Sequence, residues 1–279
     1  MAMNRITIPD LQQMKEQGKK ITLLTAYDCL FASLIDAALI DTILVGDSLG
    51  MVVMGYENTV PVTLEQVIHH TQAAAATTNH AMLIADMPFG SYEASDEQAI
   101  RNAQRLVKEG GAQAVKVERG NELIRRRVGA IVQAGVPVMG HLGLTPQTAA
   151  LMGGYRVQGR QADAARRILE HARGLEQEGI FALLLECVPL ELAGLITTEA
   201  SIPVIGIGAG VECDGQALVT HDMLGLYPSP VRHARQYCDL RAAIGEALAR
   251  YRTEVKEGHF PGEENSFHMR EEEARKLAR

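Results

Sequence analysis

A chain of 279 residues is close to the usual length of one eight-stranded α/β barrel and long for most other single domains. A fold of that size hides roughly 75% of the surface its unfolded chain exposes, so it needs no disulfide to hold it. Its 47% hydrophobic and 22% charged residues suit a globular enzyme, and a net charge of −7 without a basic stripe argues against nucleic acid or an anionic membrane as partner.

The opening MAMNRITIPD has no apolar signal region, and no run along the chain is apolar for long enough to span a bilayer. Thr7-Ile8-Pro9-Asp10 opens a short helix placed to plug the bottom of a barrel. Short β-branched apolar runs then predict eight strands: Ile21–Asp28, Asp41–Ser48, Ala81–Pro88, Gln113–Arg119, Val136–Leu142, Phe181–Val188, Ile202–Gly208 and Gln216–Asp222. Helices fill the gaps. Thr63–Gln66 and Ser95–Gln98 have the capping-box form, with helices running on to Thr78 and Glu109, the second stopped by Gly110-Gly111. The last two strands lie too close for a full helix, so that unit is abbreviated or one strand is misassigned. After them Tyr237, Leu240, Ile244, Leu248 and Tyr251 trace an apolar stripe at helical spacing, read as packing, and a polar, poorly ordered tail is expected from Phe260. No linker divides the chain, so one (β/α)₈ TIM-barrel domain is expected over residues 1–279. Gly206-Ile207-Gly208-Ala209-Gly210 lacks the dinucleotide-binding spacing and comes late in the chain, which argues against a doubly wound sheet.

Polar residues collect where these strands end, the side on which barrel enzymes place their chemistry. Asp47 and Ser48 close the second strand, Asp86 the third, Lys116 and Glu118 the fourth; His141 lies on the fifth and Glu186 ends the sixth. One such carboxylate is easily a cap; four on separate strands are harder to dismiss. Lys116 and Glu118 are two apart and share a face, whereas Cys187 should point away from Glu186 into the helix layer. Asp47, Asp86 and Glu118 offer hard oxygens suited to Mg²⁺ or a similar divalent cation. The alternative is an ion-pair network of these acids with Lys116 and Arg119. His141 reads as a structural histidine, and His69-His70 lacks zinc spacing. Cys29, Cys187, Cys213 and Cys238 form no CxxC pair, which predicts free thiols in a reducing cytoplasm.

The motifs TAYD (Thr25–Asp28), VGDSLGMV (Val45–Val52), ADMPFGSY (Ala85–Tyr92), KVERG (Lys116–Gly120), GHLGLTPQ (Gly140–Gln147), GGYRVQGR (Gly153–Arg160), LLECVP (Leu184–Pro189) and IGIGAG (Ile205–Gly210) together resemble the ketopantoate hydroxymethyltransferase family from about Thr25 to Phe267. Tyr155-Arg156 stands where Phe-Lys is usual and Leu142 where Ile is common; Val211-Glu212 and Tyr227–Arg235 also depart from the pattern. None of these touches the expected metal ligands or base. The resemblance implies transfer of a one-carbon unit from 5,10-methylenetetrahydrofolate to 3-methyl-2-oxobutanoate through a metal-stabilised enolate, giving 2-dehydropantoate. It implies Asp47 and Asp86 as Mg²⁺ ligands and Glu118 as a member of the metal site. It further implies Asp47, Ser48, Asp86 and Lys116 as substrate contacts, Glu186 as proton acceptor, and a homo-oligomer, typically a decamer. A metal-dependent 2-oxo acid lyase or mutase of the phosphoenolpyruvate type, or a catalytically silent barrel subunit, are the alternatives. Met54-Gly55-Tyr56 and Gly153–Arg160 follow strands at the active end and are the segments placed to cover ligands.

Overall fold

The computed structural model describes residues 5–228 and 231–278. The first helix, α1 (Ile8–Glu16), begins where the Asp10 carboxylate accepts the Thr7 backbone N–H at 2.8 Å. Leu11 then packs against Ile21, Leu23, Leu44 and Met82 beneath the sheet, with Ile6, Ile8 and Met14 around it, so α1 is the expected plug.

Eight parallel strands close on themselves in sequence order. They are β1 (Ile21–Thr25), β2 (Thr42–Val45), β3 (Met82–Asp86), β4 (Ala114–Glu118), β5 (Val138–Gly143), β6 (Ala182–Glu186), β7 (Val204–Ile207) and β8 (Gly215–Leu218), with β8 paired back on β1. Period-two alternation sorts each strand's residues between two cores. Leu23, Leu44, Ile84, Ala114, Met139, Leu184 and Ile205 fill the barrel, while Val45, Leu83, Val115, Val138, Leu183 and Val204 pack under the helices. That alternation sends Asp86, Lys116, Glu118, His141 and Glu186 inward at the upper rim.

The outer layer comprises α2 (Cys29–Ala37), the short α3 (Leu49–Val52), α4 (Leu64–Ala75), α5 (Asp96–Lys108), α6 (Glu122–Gln133), α7 (Ala162–Gln177) and α8 (Leu190–Glu199). Asp28, Thr63, Ser95 and Asn121 cap α2, α4, α5 and α6 by accepting backbone N–H groups, each cap contributing about 1 kcal/mol. At α4 the box is complete, whereas Gln98 reaches back to the Ala94 N–H rather than to Ser95. Asp36, buried on α2, accepts the N–H groups of Asn79, His80 and Ala81 and so ties that helix to the entry of β3. Burial works to raise its pKa, but those three donors hold it below the usual carboxylate value.

Two expectations are corrected. The eighth strand stops at Leu218; Thr220–Met223 turn into a helical segment, α9, because Thr220 Oγ1 and N–H bond back to Thr25. Residues 208–214 between β7 and β8 form turns, so this unit is the abbreviated one. From Leu240 the apolar stripe is helical as its spacing predicts, over α10 (Leu240–Lys256), with Tyr237 ahead of the helix, yet apart from Tyr251 against the Phe260 ring it stays open: Leu248 is 63% and Tyr251 57% exposed. None of the α10 residues is buried. A final helix, α11 (Glu271–Leu277), is also exposed. Among the described residues no helix is long and apolar enough to cross a membrane.

Candidate active site

A cavity of about 530 Å³ opens at the C-terminal ends of the strands, and all six residues expected there, Asp47, Ser48, Asp86, Lys116, Glu118 and Glu186, line it. The register of the sheet brings them together. Asp86 is the direct neighbour of Lys116 on β3 and β4, and Glu118 that of His141 on β4 and β5. Lys116 Nζ lies 2.7 Å from Asp86 Oδ1 and 3.6 Å from Glu118 Oε1. His141 bridges two acids, with Nδ1 3.2 Å from Glu118 Oε1 and Nε2 3.3 Å from Glu186 Oε2.

Asp47 and Ser48 follow β2 through Gly46. A β-carbon at Gly46 would stand 2.7 Å from Ser48 Oγ and 3.3 Å from Asp86 Oδ2, so a side chain here would push the site apart. The Asp47 N–H donates to Asp86 Oδ2 at 2.9 Å, and Ser48 Oγ shares a 2.8 Å hydrogen bond with the buried Tyr27 hydroxyl. Gly143 does the same service for Glu186. It adopts a φ of +97°, and a side chain there would collide with the Glu186 carbonyl.

The electrostatics follow from burial. Desolvation, reinforced by the charges of Asp86 and Glu118, pushes the Asp47 carboxyl well above its usual pKa. Asp86 is raised as well, its burial only partly offset by Lys116. At Glu118 the burial penalty is outweighed by Lys116 and His141, which hold it low. Burial also opposes the charge on Lys116, but the surrounding carboxylates prevail and keep it protonated. For His141, burial and Lys116 act against protonation, while hydrogen bonds to Glu118 and Glu186 win and place its pKa at about 9. Three deeply buried carboxylates thus face one ammonium and one imidazolium.

A cation suits this arrangement. Three buried carboxylates crowd beside Lys116 and His141, and the raised Asp47 and Asp86 mark an excess of negative charge. Among the described residues no three acidic, histidine or cysteine side chains converge tightly enough to wrap an ion unaided. Two carboxylates, with water and a chelating ligand completing the shell, match the habits of Mg²⁺.

The ion-pair alternative holds for Lys116 and fails for Arg119, whose positive φ of 75° turns it outward to Glu93. Cys187 is a correction. It lies one residue beyond β6 with φ at +49°, which breaks the alternation and turns its side chain into the cavity, Sγ 3.6 Å from His233 Nδ1. Burial, with Glu186 adding to it, pushes the thiol up to about 11, so it remains an uncharged thiol. His69 and His70 sit on α4 away from the cavity lining, His70 bonding the Tyr27 carbonyl.

Of the two covering segments, Gly153–Arg160 supplies Tyr155, Arg156 and Val157 to the cavity, whereas near Met54-Gly55-Tyr56 it is Met51 and Val52 that reach it. The opposite rim carries Asp222, Tyr227, Val231, Arg232 and His233. Asp222 ends the strand read from the sequence, whereas Tyr227, Val231, Arg232 and His233 follow in a stretch without periodicity; residues 229 and 230 of Tyr227–Arg235 lie outside the described residues. Gln147, which ends the GHLGLTPQ motif, carries no role in the sequence reading; it sits in the 3₁₀ turn that Pro146 opens after β5.

A closed parallel barrel whose strand ends gather buried acids, a lysine and a histidine around one cavity is a (β/α)₈-barrel enzyme. The model of the ketopantoate hydroxymethyltransferase family matches residues 5–263. The 3-methyl-2-oxobutanoate hydroxymethyltransferase of Heliobacterium modesticaldum is 53% identical over 96% of this chain and 97% of its own. That of Moorella thermoacetica is 53% identical over 95% of this chain and 98% of its own. Among solved structures, a phosphonopyruvate hydrolase superposes with a TM-score of 0.63 at 13% identity, covering 98% of this chain and 95% of that one. The same type of enzyme in complex with oxalate and Mg²⁺ gives 0.62 at 13% identity over 93% of each chain. These last two show a shared fold alone. The chain belongs to the ketopantoate hydroxymethyltransferase family and is a transferase.

Proposed function

We propose that this cavity moves a one-carbon unit from 5,10-methylenetetrahydrofolate to C3 of 3-methyl-2-oxobutanoate, with water supplying the oxygen of the new hydroxymethyl group. The observation that carries this reading is the placement of Glu186. Its carboxylate stands at the cavity wall, 16% exposed, beside His141 and above the buried acids, within a chain about half identical to named hydroxymethyltransferases.

Asp47 and Asp86, with Glu118 beside them, would hold a divalent cation such as Mg²⁺, which would supply electrophilic stabilisation of negative charge on the oxo acid. Lys116 neutralises Asp86 and adds positive charge beneath the same substrate oxygens. The Ser48 hydroxyl, oriented by Tyr27, donates to the oxo acid. Glu186 accepts the C3 proton, leaving the electron pair to attack the folate methylene carbon as one of its C–N bonds breaks; water then displaces the second nitrogen, and the proton from C3 and one from water pass to the two nitrogens of the released tetrahydrofolate. Imidazolium character at His141 stabilises the ionised base before the transfer and screens it from Glu118. Tyr155, Arg156 and Tyr227 form an aromatic and cationic rim suited to a flat ligand with an anionic tail.

A lyase or mutase reading draws only on shared fold, which leaves function open. We further propose a single catalytic domain working in the cytoplasm, where Cys29, Cys187, Cys213 and Cys238 stay free. The homo-oligomer expected of the family is supported by the uncovered apolar side of α10. Turnover of 3-methyl-2-oxobutanoate that requires methylenetetrahydrofolate and yields 2-dehydropantoate tests the reading. Cleavage of the oxo acid without folate would replace it by the lyase reading.

A further inference from the structure

Gln147 makes four hydrogen bonds in the interior, and two of them go to carboxylates of the active site. Its side-chain Nε2 donates to Asp47 Oδ2 at 2.9 Å and to the Met87 carbonyl at 3.0 Å. Its backbone N–H donates to Glu118 Oε2 at 3.1 Å. Its Oε1 accepts the hydroxyl of Tyr92, wholly buried, at 2.6 Å. The amide has no spare hydrogen-bonding capacity left except one acceptor lone pair.

The direction of this chain is fixed by chemistry. The Met87 carbonyl can only accept, so it demands an amide N–H. The Tyr92 hydroxyl has no other partner among the described residues and donates to Oε1. Together they exclude the flipped amide, in which an oxygen would face both the Met87 carbonyl and the Asp47 carboxylate. Gln147 therefore always presents a donor to Asp47. One oxygen of each acid is thereby held, Oδ2 of Asp47 and Oε2 of Glu118; the second oxygen of Asp47 is left for the cavity, while that of Glu118 faces Lys116 Nζ at 3.6 Å and His141 Nδ1 at 3.2 Å.

We infer that Gln147, locked by Tyr92, is the positioning residue that sets Asp47 and Glu118 for cation binding. This rests on the reading of those acids as a cation site. The residue lies 100 positions from Asp47 and 29 from Glu118, on the 3₁₀ turn that leads into the rim residues Tyr155 and Arg156. The turn after β5 thus clamps strand ends β2 and β4 to one another. Partners of this kind govern metal affinity by fixing ligand orientation, and their loss typically costs about 10–100-fold.

The test is Mn²⁺ binding, followed by electron paramagnetic resonance on the full-length protein without oxo acid or folate. Gln147→Ala should weaken binding about 10–100-fold. Tyr92→Phe, which removes one oxygen and keeps the ring in its buried place, should weaken it in the same direction by a smaller factor. The Tyr92 variant keeps the test decisive if Gln147→Ala fails to fold. Asp47→Asn is the reference. If it alone abolishes binding while both other variants, folded by circular dichroism, match the wild type, the positioning role is wrong. If the wild type binds no Mn²⁺, or Asp47→Asn binds as the wild type does, the cation reading itself has failed.

Discussion

Lys116 and Asp86 meet across adjoining strands, Nζ to Oδ1 at 2.7 Å, with each side chain at most 3% exposed. They are register partners, so the sheet itself sets their approach. Few arrangements at a barrel mouth concentrate charge so far from water. The burial of Asp47 and Glu118 beside them leaves Lys116 as the ammonium that offsets three acids.

Lys116→Met should therefore destabilise the cation-free protein. Removing one member of a buried ion pair leaves uncompensated charge and costs about 3–5 kcal/mol. Thermal unfolding in chelator at neutral pH measures this. Adding Mg²⁺ should recover part of the loss, and so should mild acid, since Asp47 and Asp86 already hold their protons more tightly than ordinary carboxyls. A variant as stable as the wild type in chelator would show that the cluster is not charge-strained.

The histidine gives a pH signature. Its folded pKa of about 9 lies above the ordinary 6.5, so its charged form is favoured by folding. That stability is fully present below 6.5 and is lost as pH rises through about 9. Denaturation midpoints should show His141→Gln less stable than the wild type near neutrality, with the gap closing above pH 9. Asp47, raised in both proteins, contributes a slope of the same sign to each, so the comparison isolates His141. A gap that stays constant from pH 6 to about 10 would mean the imidazole is neutral in the fold.

Rim residues should separate ligand contact from assembly. Tyr155 is half exposed yet, with Arg156, borders the cavity. Replacing both with Ala should raise the KM for methylenetetrahydrofolate by about tenfold, the equivalent of ~1.4 kcal/mol of contact. Exchange of the substrate C3 hydrogen without folate should change little. An altered sedimentation profile with unchanged KM would place both residues at a contact between copies instead.

The floor of this site was legible in the sequence because β-strands alternate. Asp86, Lys116, Glu118 and Glu186 all fall on inward positions of runs whose ends were visible, and three acids and a lysine at one end of a barrel constrain each other. What alternation could not reach are residues past the strand ends. Cys187 sits in a left-handed turn one step beyond β6, so the rule that placed Glu186 misplaced its neighbour. Gln147 acts through hydrogen bonds to strands distant in the chain, which no local pattern records. His141 looked structural because a lone histidine on an apolar strand usually is; only its register partner Glu118 and the approach of its Nε2 to Glu186 reveal its two acids. For α10 the period was right and its setting was not, since periodicity identifies a face to be covered without saying what covers it.

Glu186 is the residue on which the proposed chemistry most depends. Proton removal needs oxo acid, cation and base but no folate, so exchange of the C3 hydrogen of 3-methyl-2-oxobutanoate with D₂O isolates the step. Glu186→Gln keeps the side chain's size while removing the basic carboxylate. General base catalysis typically contributes about 10²–10⁴-fold, and exchange should fall by about that factor. Binding of Mn²⁺ and oxo acid should survive, because Asp47, Asp86, Ser48 and Lys116 are untouched and, among the described residues, Glu186 meets the cluster through His141. That single contact, 3.3 Å from Nε2, also predicts a side effect: with a neutral amide beside it, His141 loses one of its two acidic partners and its pKa should drop from about 9. An NMR titration of the ring would register the drop even in protein that no longer turns over. If Glu186 merely ordered the site, the same variant would bind its ligands more weakly and regain exchange once they were saturating. Rapid exchange in folded, fully liganded Glu186→Gln protein would assign the base to another group.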